Sequence, residues 1–453
     1  MADQTSKTRR AWLRAGMLLP LAPSALAAAP TEPARTSGLS GLSGAPVPTT
    51  AAMPAPPAGV SPDALALNRQ YWASMAAQYD MDDRVVLLDN GFWGSMARPV
   101  LEAYQGHIAR VNRGNSWYAR TDFPGDYRAA LQRTATALGV SPDEIVFTRG
   151  ATEALQALIS GYRHLGSGDT VLYADVDYDS MIDAMRWLRQ RRGVDVATIN
   201  LPEPATHESV IACYAKALDQ HPRLKLLLLT HVNHRNGMVL PVAEIASMAR
   251  ARGADVIVDT AHGFGQLDMR IPDLQADFVG INLHKWIGAP VGVGAVYIKR
   301  GRVQDIDPYM GQPESNSIYP RVHTGTANFA AYMALPLALE LHGQVGVANK
   351  QARLRLLRNR WVEPARKIAG IEVLASPDPQ LTSAIASFRL KGRTSLAENI
   401  ALSKRLLDEH GIFTVYRDGL ASGSCVRVTP SIFTSESDMD KLVVALHKIA
   451  ASA

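Results

Sequence analysis

Cysteine is almost missing from this chain: its 453 residues contain two, Cys213 and Cys425. A disulfide framework is therefore excluded, and a chain of this length must hold itself together by a buried apolar core. No His-Glu-x-x-His or Cys-x-x-Cys spacing offers a metal site. A Walker-type phosphate loop and a Gly-x-Ser-x-Gly nucleophile elbow are absent too. Positive charge is not concentrated in the body of the chain. Residues 1–29 hold four Lys or Arg and one acid, which leaves 43 basic and 41 acidic residues elsewhere. No dense basic stripe points to nucleic acid. The apolar stretch near the N-terminus is too short and interrupted to span a bilayer, which takes about 20 residues, so no stable membrane insertion is expected.

What that N-terminal stretch does offer is an address. SKTRRAWLRAGMLLPLAPSALAAAP places Arg9 and Arg10 before an apolar run that finishes in small residues, the layout of a twin-arginine export signal. We expect residues 1–29 to be cleaved near Ala29 after passage through the twin-arginine machinery. That machinery carries folded proteins, so a cofactor could be loaded beforehand, and the product would be a soluble protein of the bacterial periplasm. Residues 30–62, with SGLSGLSG and PAPPAG, have the composition of a disordered linker.

From about Asp63 the pattern changes to apolar runs that alternate with helical ones: EIVFT then ATEALQALISGY, TVLYAD then SMIDAMRWLRQRR, KLLLLTH then PVAEIASMARARG, and VIVD. Such alternation predicts an α/β fold built on a mostly parallel sheet. After about Ala330 a long helical stretch, AIASFRL, FTVYR, CVRVTP and a last helix suggest a smaller α+β domain. The expected organisation is an arm over 63–95, a large domain over 96–330 and a small C-terminal domain over 331–453.

The chemistry is carried first by Asp259 and Lys285, in ADVIVDTAHG and ADFVGINLHKWIGAPVGVG. VIVD and DFVGIN read as buried parallel strands, which bring both residues to the carboxyl edge where such sheets bind ligands. A lysine amine and a carboxylate together meet the needs of pyridoxal 5'-phosphate, whose aldehyde is held by an amine and whose ring nitrogen is kept protonated by an acid. Taken singly, Asp259 could be a turn residue and Lys285 a surface lysine. With His262 and His284 they resemble the class V aminotransferase family of fold-type I pyridoxal-phosphate enzymes, and in particular its isopenicillin-N-epimerase-like branch. That fold carries a seven-stranded type of sheet.

The resemblance implies further roles. In EIVFTRGATEALQALI, Ala151 and Thr152 start a helix and would cradle the cofactor phosphate, although a Thr helix cap is the plain alternative. His284 and Asn282 would assist there. Tyr178 would stack on the cofactor ring, and His234 stands where the family uses a polar contact to the phenolic oxygen, with Asn233 adjacent. His262 matches the Asp-x-Ala-His form of epimerase-like members. Arg427, in SCVRVTP, would grip a substrate carboxylate with its planar fork, unless it is only a surface arginine on an edge strand. Asn90, Gly91 and Phe92 would approach the substrate. Gly325 and Thr326 would reach the cofactor phosphate of a partner subunit, which implies a homodimer. Arg321 and His323 are further candidates to line the site, and most of Trp93, Trp117, Tyr118 and Phe123 are expected to pack.

The function expected is a periplasmic pyridoxal-phosphate enzyme, of transaminase type, acting on a small-molecule amine or amino acid. Epimerisation and C–N or C–S cleavage remain open on the same scaffold, as does a catalytically silent binding protein. Together with the export signal, the chain resembles exported enzymes that tailor siderophore side chains. Desulfurase chemistry is disfavoured because residues 408–423, ahead of Arg427, contain no cysteine.

Overall fold

The computed structural model describes residues 53–322 and 325–452. The expected export signal, residues 30–52 of the expected linker and His323 lie outside the described residues. Seven strands form the main sheet: β1 (Ile145–Thr148), β2 (Thr170–Ala174), β3 (Asp195–Ile199), β4 (Leu224–Thr230), β5 (Asp255–Asp259), β6 (Phe278–Asn282) and β7 (Gly294–Ile298). They lie in the order β1-β7-β6-β5-β4-β2-β3. Strands β6, β5, β4, β2 and β3 run parallel to one another, and β7 is antiparallel to both of its neighbours, β1 and β6.

Burial on both faces explains the unbroken apolar runs. Along β4, Leu227 and Leu229 enter one apolar cluster while Leu226 and Leu228 enter another. The exception is β3, at the sheet edge and half exposed; its mixed sequence, DVATI, carries a weak strand signal. One helix must come very close to the sheet. Ala151–Gly161 crosses β6 and β7, and a Cβ on Gly294 would lie 2.6 Å from the Gly150 Cα. A Cβ on Gly280 would lie 2.5 Å from the Leu155 side chain. Glycine at these positions sets the height of the helix above the sheet.

A second, antiparallel sheet is built from β8 (Ile371–Val373), β9 (Ala386–Leu390), β10 (Val415–Arg417) and β11 (Cys425–Val428), in the order β10-β11-β9-β8. Helices Val347–Ala365, Leu396–His410 and Glu436–Ala451 share its core through Trp361, Leu406 and Leu446 around Phe388. Helix Phe329–Val345 packs instead on helices Arg98–Thr121 and Phe123–Leu138. The arm joins the two regions. Val86–Leu87 pairs in parallel with Ile412–Phe413, and Asp89 bridges Thr429. The chain is anchored well before Asp63: Met53 is buried, and its amide donates to Gln344 Oε1 at 2.9 Å. Tyr118 and Phe123 pack as expected, whereas Trp117 is 75% exposed.

Replacing Gly294 by Ala would force backbone apart from backbone, with no flexible side chain to yield. We expect Gly294→Ala to destabilise the protein by about 1–3 kcal/mol. A urea titration would read this as a lower midpoint, and an unchanged midpoint would show that the helix can lift at no cost.

Candidate active site

The register of three neighbouring strands sets the floor of the site. Thr230 at the end of β4 lies opposite Asp259 on β5, and Asp259 lies opposite Gly280 on β6. Past those ends the chain leaves the sheet, and successive segments deliver Gly150 to Thr152, Tyr178, His234, Asp259 to His262, and Asn282 to Lys285 to one place. The arm adds Asp89, Gly91 and Phe92, and the second sheet adds Arg417 and Arg427. Together they line a cavity of about 950 Å³.

Lys285 stands on the cavity wall with its amine 3.1 Å from His262 Nε2. The indole N–H of Trp286 donates to His262 Nδ1 at 3.3 Å. A neutral ring that accepts at Nδ1 carries its own proton on Nε2, so His262 donates to the lysine nitrogen, which must be the free amine to accept. The electrostatics agree. Burial, followed by the charge of Lys285, holds His262 well below the usual imidazole range. Burial lowers the Lys285 amine to about 8, against the opposing pull of Asp259. Behind the lysine, the Gly94 amide donates to the His284 carbonyl at 2.8 Å, and a Cβ on Gly94 would strike the Lys285 carbonyl at 1.8 Å. The second glycine of NGFWG is thus the seat of the lysine turn.

Asp259 is 3% exposed, and its Oδ1 accepts the Ala261 amide at 2.8 Å, leaving the other oxygen for a ligand. Burial raises its pKa, and the Ala261 amide and Lys285 oppose that rise. A second buried acid, Asp177, accepts the amides of Ala174 and Thr230 at 2.8 and 2.9 Å, which ties the ends of β2 and β4 together.

At the start of helix Ala151–Gly161 the Ala151 amide donates to Asn282 Oδ1 at 2.7 Å. This is the amide expected to meet a phosphate; Ala151 and Asn282 both line the cavity, and the Asn282 NH₂ group is a further donor there. The Thr152 and Glu153 amides that follow belong to the first helical turn, which has no intrahelical acceptors, and the Thr152 side chain is exposed on the cavity wall. His284 Nδ1 bonds the Val293 carbonyl at 2.9 Å. Its Nε2 must gain a proton before it can donate, which burial disfavours and a phosphate dianion favours.

Of the other expected residues, Tyr178 and His234 both line the cavity, with rings edge to face at 5.2 Å. Asn233 turns away to Asn236 and the Arg235 amide. Arg427 is on an inner strand and 1% exposed, so it is no edge arginine, but it is already ion-paired with Asp89. Asn90 is corrected: it is 5% exposed and outside the cavity lining, because its amide donates to the Leu87 and Thr429 carbonyls and staples the arm to β11. Thr326 is exposed and does not line this chain's own cavity. Arg321 is corrected too: its guanidinium is spent on the carbonyls of Val303, Ile306, Ser315 and Ser317. Sequence reading passed over Asp89, Arg149, Asp179 and Arg417, which also line the cavity. Asp89 and Asp179 each adjoin an expected site residue, Arg149 lies two positions before Ala151 and Arg417 lies on the FTVYR strand, but nothing in the local pattern says that they face inward.

These groups fit pyridoxal 5'-phosphate. A free buried amine and a buried carboxylate with a spare oxygen stand on one wall, a helix start and an amide donor mark the phosphate end, and a phenol ring stands at the side. A Cβ on Gly150 would come 3.1 Å from Asn282 Oδ1 and 3.2 Å from His284 Cε1, closing the phosphate end.

The sequence model of the family described as Aminotransferase class-V matches residues 96–442. The chain is 26% identical over 397 residues to isopenicillin N epimerase of Streptomyces clavuligerus, covering 83% of this chain and 98% of that protein. It is 25% identical over 410 residues to cysteine desulfurase of Haloferax volcanii, covering 84% and 93%. Among solved structures, the cysteine desulfurase CsdA of Escherichia coli shares the fold with a TM-score of 0.72 at 22% identity, covering 84% of this chain and 98% of that one.

Capture of cofactor by the cofactor-free protein needs the neutral amine of Lys285. With that amine titrating at about 8, the capture rate should rise about tenfold per pH unit below that value and level off above it, where an ordinary lysine would keep rising to about 10.4. Trp286→Phe removes the donor that fixes the imidazole. His262 can then present a bare Nε2 to a protonated lysine, so the midpoint should move upward and the ¹⁵N shifts of His262 should show the other tautomer. An unmoved midpoint and unchanged shifts would reject the hydrogen-bond chain from Trp286 through His262 to Lys285.

Proposed function

This chain belongs to the aminotransferase class-V family, and on that footing we propose that it is an exported pyridoxal-phosphate enzyme of transaminase type. Its substrate is an amino acid or a larger metabolite carrying one, such as a siderophore side chain. The observation that carries this reading is the free Lys285 amine, 3.1 Å from His262 Nε2 in a cavity it shares with Asp259.

Bound pyridoxal 5'-phosphate draws electrons from the amine-bearing carbon and acidifies its C–H bond. Lys285 would hold the cofactor and, once released by an incoming amine, take the proton from that carbon as general base. Asp259 would keep the proton on the ring nitrogen. His262, fixed by Trp286, orients the lysine and lowers its affinity for a second proton. A single lysine base on the cavity wall would suit a proton shift of the transaminase kind. Epimerisation is the second reading, supported by the similarity to an isopenicillin N epimerase and by Tyr178, a further hydroxyl on the cavity wall. Sulfur transfer of the desulfurase kind needs an accessible thiolate. Neither Cys213 nor Cys425 lines the cavity, and burial pushes the Cys425 thiol up to about 11.

Location and assembly belong to the same proposal. The twin-arginine pattern at Arg9 and Arg10 supports export to the periplasm. Thr326, exposed and away from its own cavity, supports a homodimer in which it serves the partner.

Borohydride treatment of the purified protein should fix cofactor on the Lys285 peptide, and Lys285→Ala should abolish the adduct and lower turnover by about 10²–10⁴-fold. Conversion of bound cofactor to pyridoxamine phosphate by an amine would support transamination. Inversion at the α-carbon without that conversion would support epimerisation. Folded protein supplied with cofactor that yields no adduct would leave only a binding protein. Cell fractionation of the full chain, beside an Arg9→Lys, Arg10→Lys variant that should stay in the cytoplasm, tests export, and the solution mass of the mature protein tests the dimer.

A further inference from the structure

A second buried lysine lies behind the first. Lys350, on helix Val347–Ala365, is 6% exposed, and among the described residues no carboxylate pairs with it. It borders a small cavity of about 20 Å³, which Met53, Tyr79, Ile287 and His342 also line. That is room for about one water molecule, too little to hydrate an ammonium group. Burial lowers the amine to about 7. A methionine or leucine of similar volume would fill the place without the cost of desolvating an amine. Packing therefore does not account for a lysine here.

The hydrogen bonds of the lysine turn do. Its carbonyls are buried and each needs a donor. The Leu283 carbonyl accepts the Ala289 amide at 3.2 Å, the His284 carbonyl the Gly94 amide at 2.8 Å, and the Lys285 carbonyl the Gly288 amide at 3.1 Å. The next carbonyl, that of Trp286, accepts from Lys350 Nζ. The same amine lies 3.5 Å from Nδ1 of His342, on helix Phe329–Val345. Burial, followed by the charge of Lys350, holds that imidazole well below its usual range, so it is neutral and can accept. Charged or neutral, the Lys350 amine keeps a hydrogen for the Trp286 carbonyl. From the other end of Trp286 the contacts run on to the reactive amine, through the indole N–H to His262 Nδ1 and from His262 Nε2 to Lys285.

We infer that Lys350 is a positioning residue for the reaction: by holding the Trp286 carbonyl it fixes the backbone from which the indole reaches His262, and so sets the His262 tautomer that meets Lys285. This inference rests on the reading of Lys285 as the amine that holds the cofactor. Lys350 touches neither the cavity of the reactive lysine nor anything bound there. It acts through Trp286.

The test compares donor-free and donor-bearing replacements in the full chain, by the ¹⁵N shifts of His262 and by the pH midpoint of cofactor capture. Lys350→Met removes charge and donor at similar volume, and Lys350→Leu takes its place should it not fold. Either should move the His262 shifts towards the other tautomer. Either should also raise the capture midpoint by about half a unit or more, which slows capture at pH 7 by about threefold. Lys350→Gln loses the charge but keeps an N–H donor, and should retain most of the wild-type behaviour. In a Trp286→Phe background, Lys350→Met should change neither readout further. The inference is overturned if Lys350→Met lowers only the urea midpoint, if Lys350→Met and Lys350→Gln move both readouts equally, or if the Lys350 and Trp286 effects add. The ¹⁵N shifts are read without cofactor, so this result stands apart from the fate of the function proposal, which is read from cofactor conversion by amines.

Discussion

Everything at the cavity depends on the pairing register of β4, β5 and β6. Parallel strands share one carboxyl edge, and the alignment of Thr230, Asp259 and Gly280 across them decides which residues leave the sheet side by side. A slip of one residue would turn Asp259 from its present face to the other. Two apolar clusters, one on each side of β4, oppose such a slip, because it would exchange the side chains of both. The reactive constellation is therefore held by hydrophobic packing some distance below it. The polar contacts at the surface of the sheet refine positions that the core has already fixed.

Within that frame, water exclusion sets the protonation states. The same burial acts in opposite directions on acids and bases: Asp259 is pushed up, while His234, His262 and Lys285 are pushed down. Neutral forms are favoured throughout, so a charge that persists in the cavity must have a partner or await one. Arg427 has Asp89. A lysine that titrates at about 8 holds far more of its neutral form near physiological pH than an exposed lysine does, which suits it as a nucleophile and as a base. The imidazole beside it is effective because it cannot easily become charged.

The sheet was legible in the sequence because parallel strands buried on both faces leave unbroken apolar runs such as LLLL and VIV. β3 escaped notice because an edge strand need not be apolar, and the long helix Arg98–Thr121 because it is largely polar and buries only Val100, Ala103 and Tyr118. Lys285, Asp259, His262, Thr152 and Tyr178 were found because their motifs sit at strand ends, where topology fixes their direction, and the structure brings them to one cavity. Asn90 was expected to face a substrate, yet the motif could not reveal that carbonyls of the arm and β11 take its side chain, nor that a neighbouring residue, Asp89, pairs with Arg427 on the cavity wall. Side-chain pairing between segments more than three hundred residues apart leaves no local trace.

The arm that seats the lysine turn is among the first parts of the folded region to be synthesised, yet its contacts are with the end of the chain. Val86 and Leu87 wait for Ile412 and Phe413, Asp89 waits for Arg427 and Thr429, and Gly94 waits for Lys285. Closing loops of that span is slow and entropically costly. The central sheet can assemble as it emerges from the ribosome, but the cavity has no complete wall until nearly the whole polypeptide has been made. A ribosome-bound nascent chain would therefore own the lysine and the aspartate long before it owned a pocket.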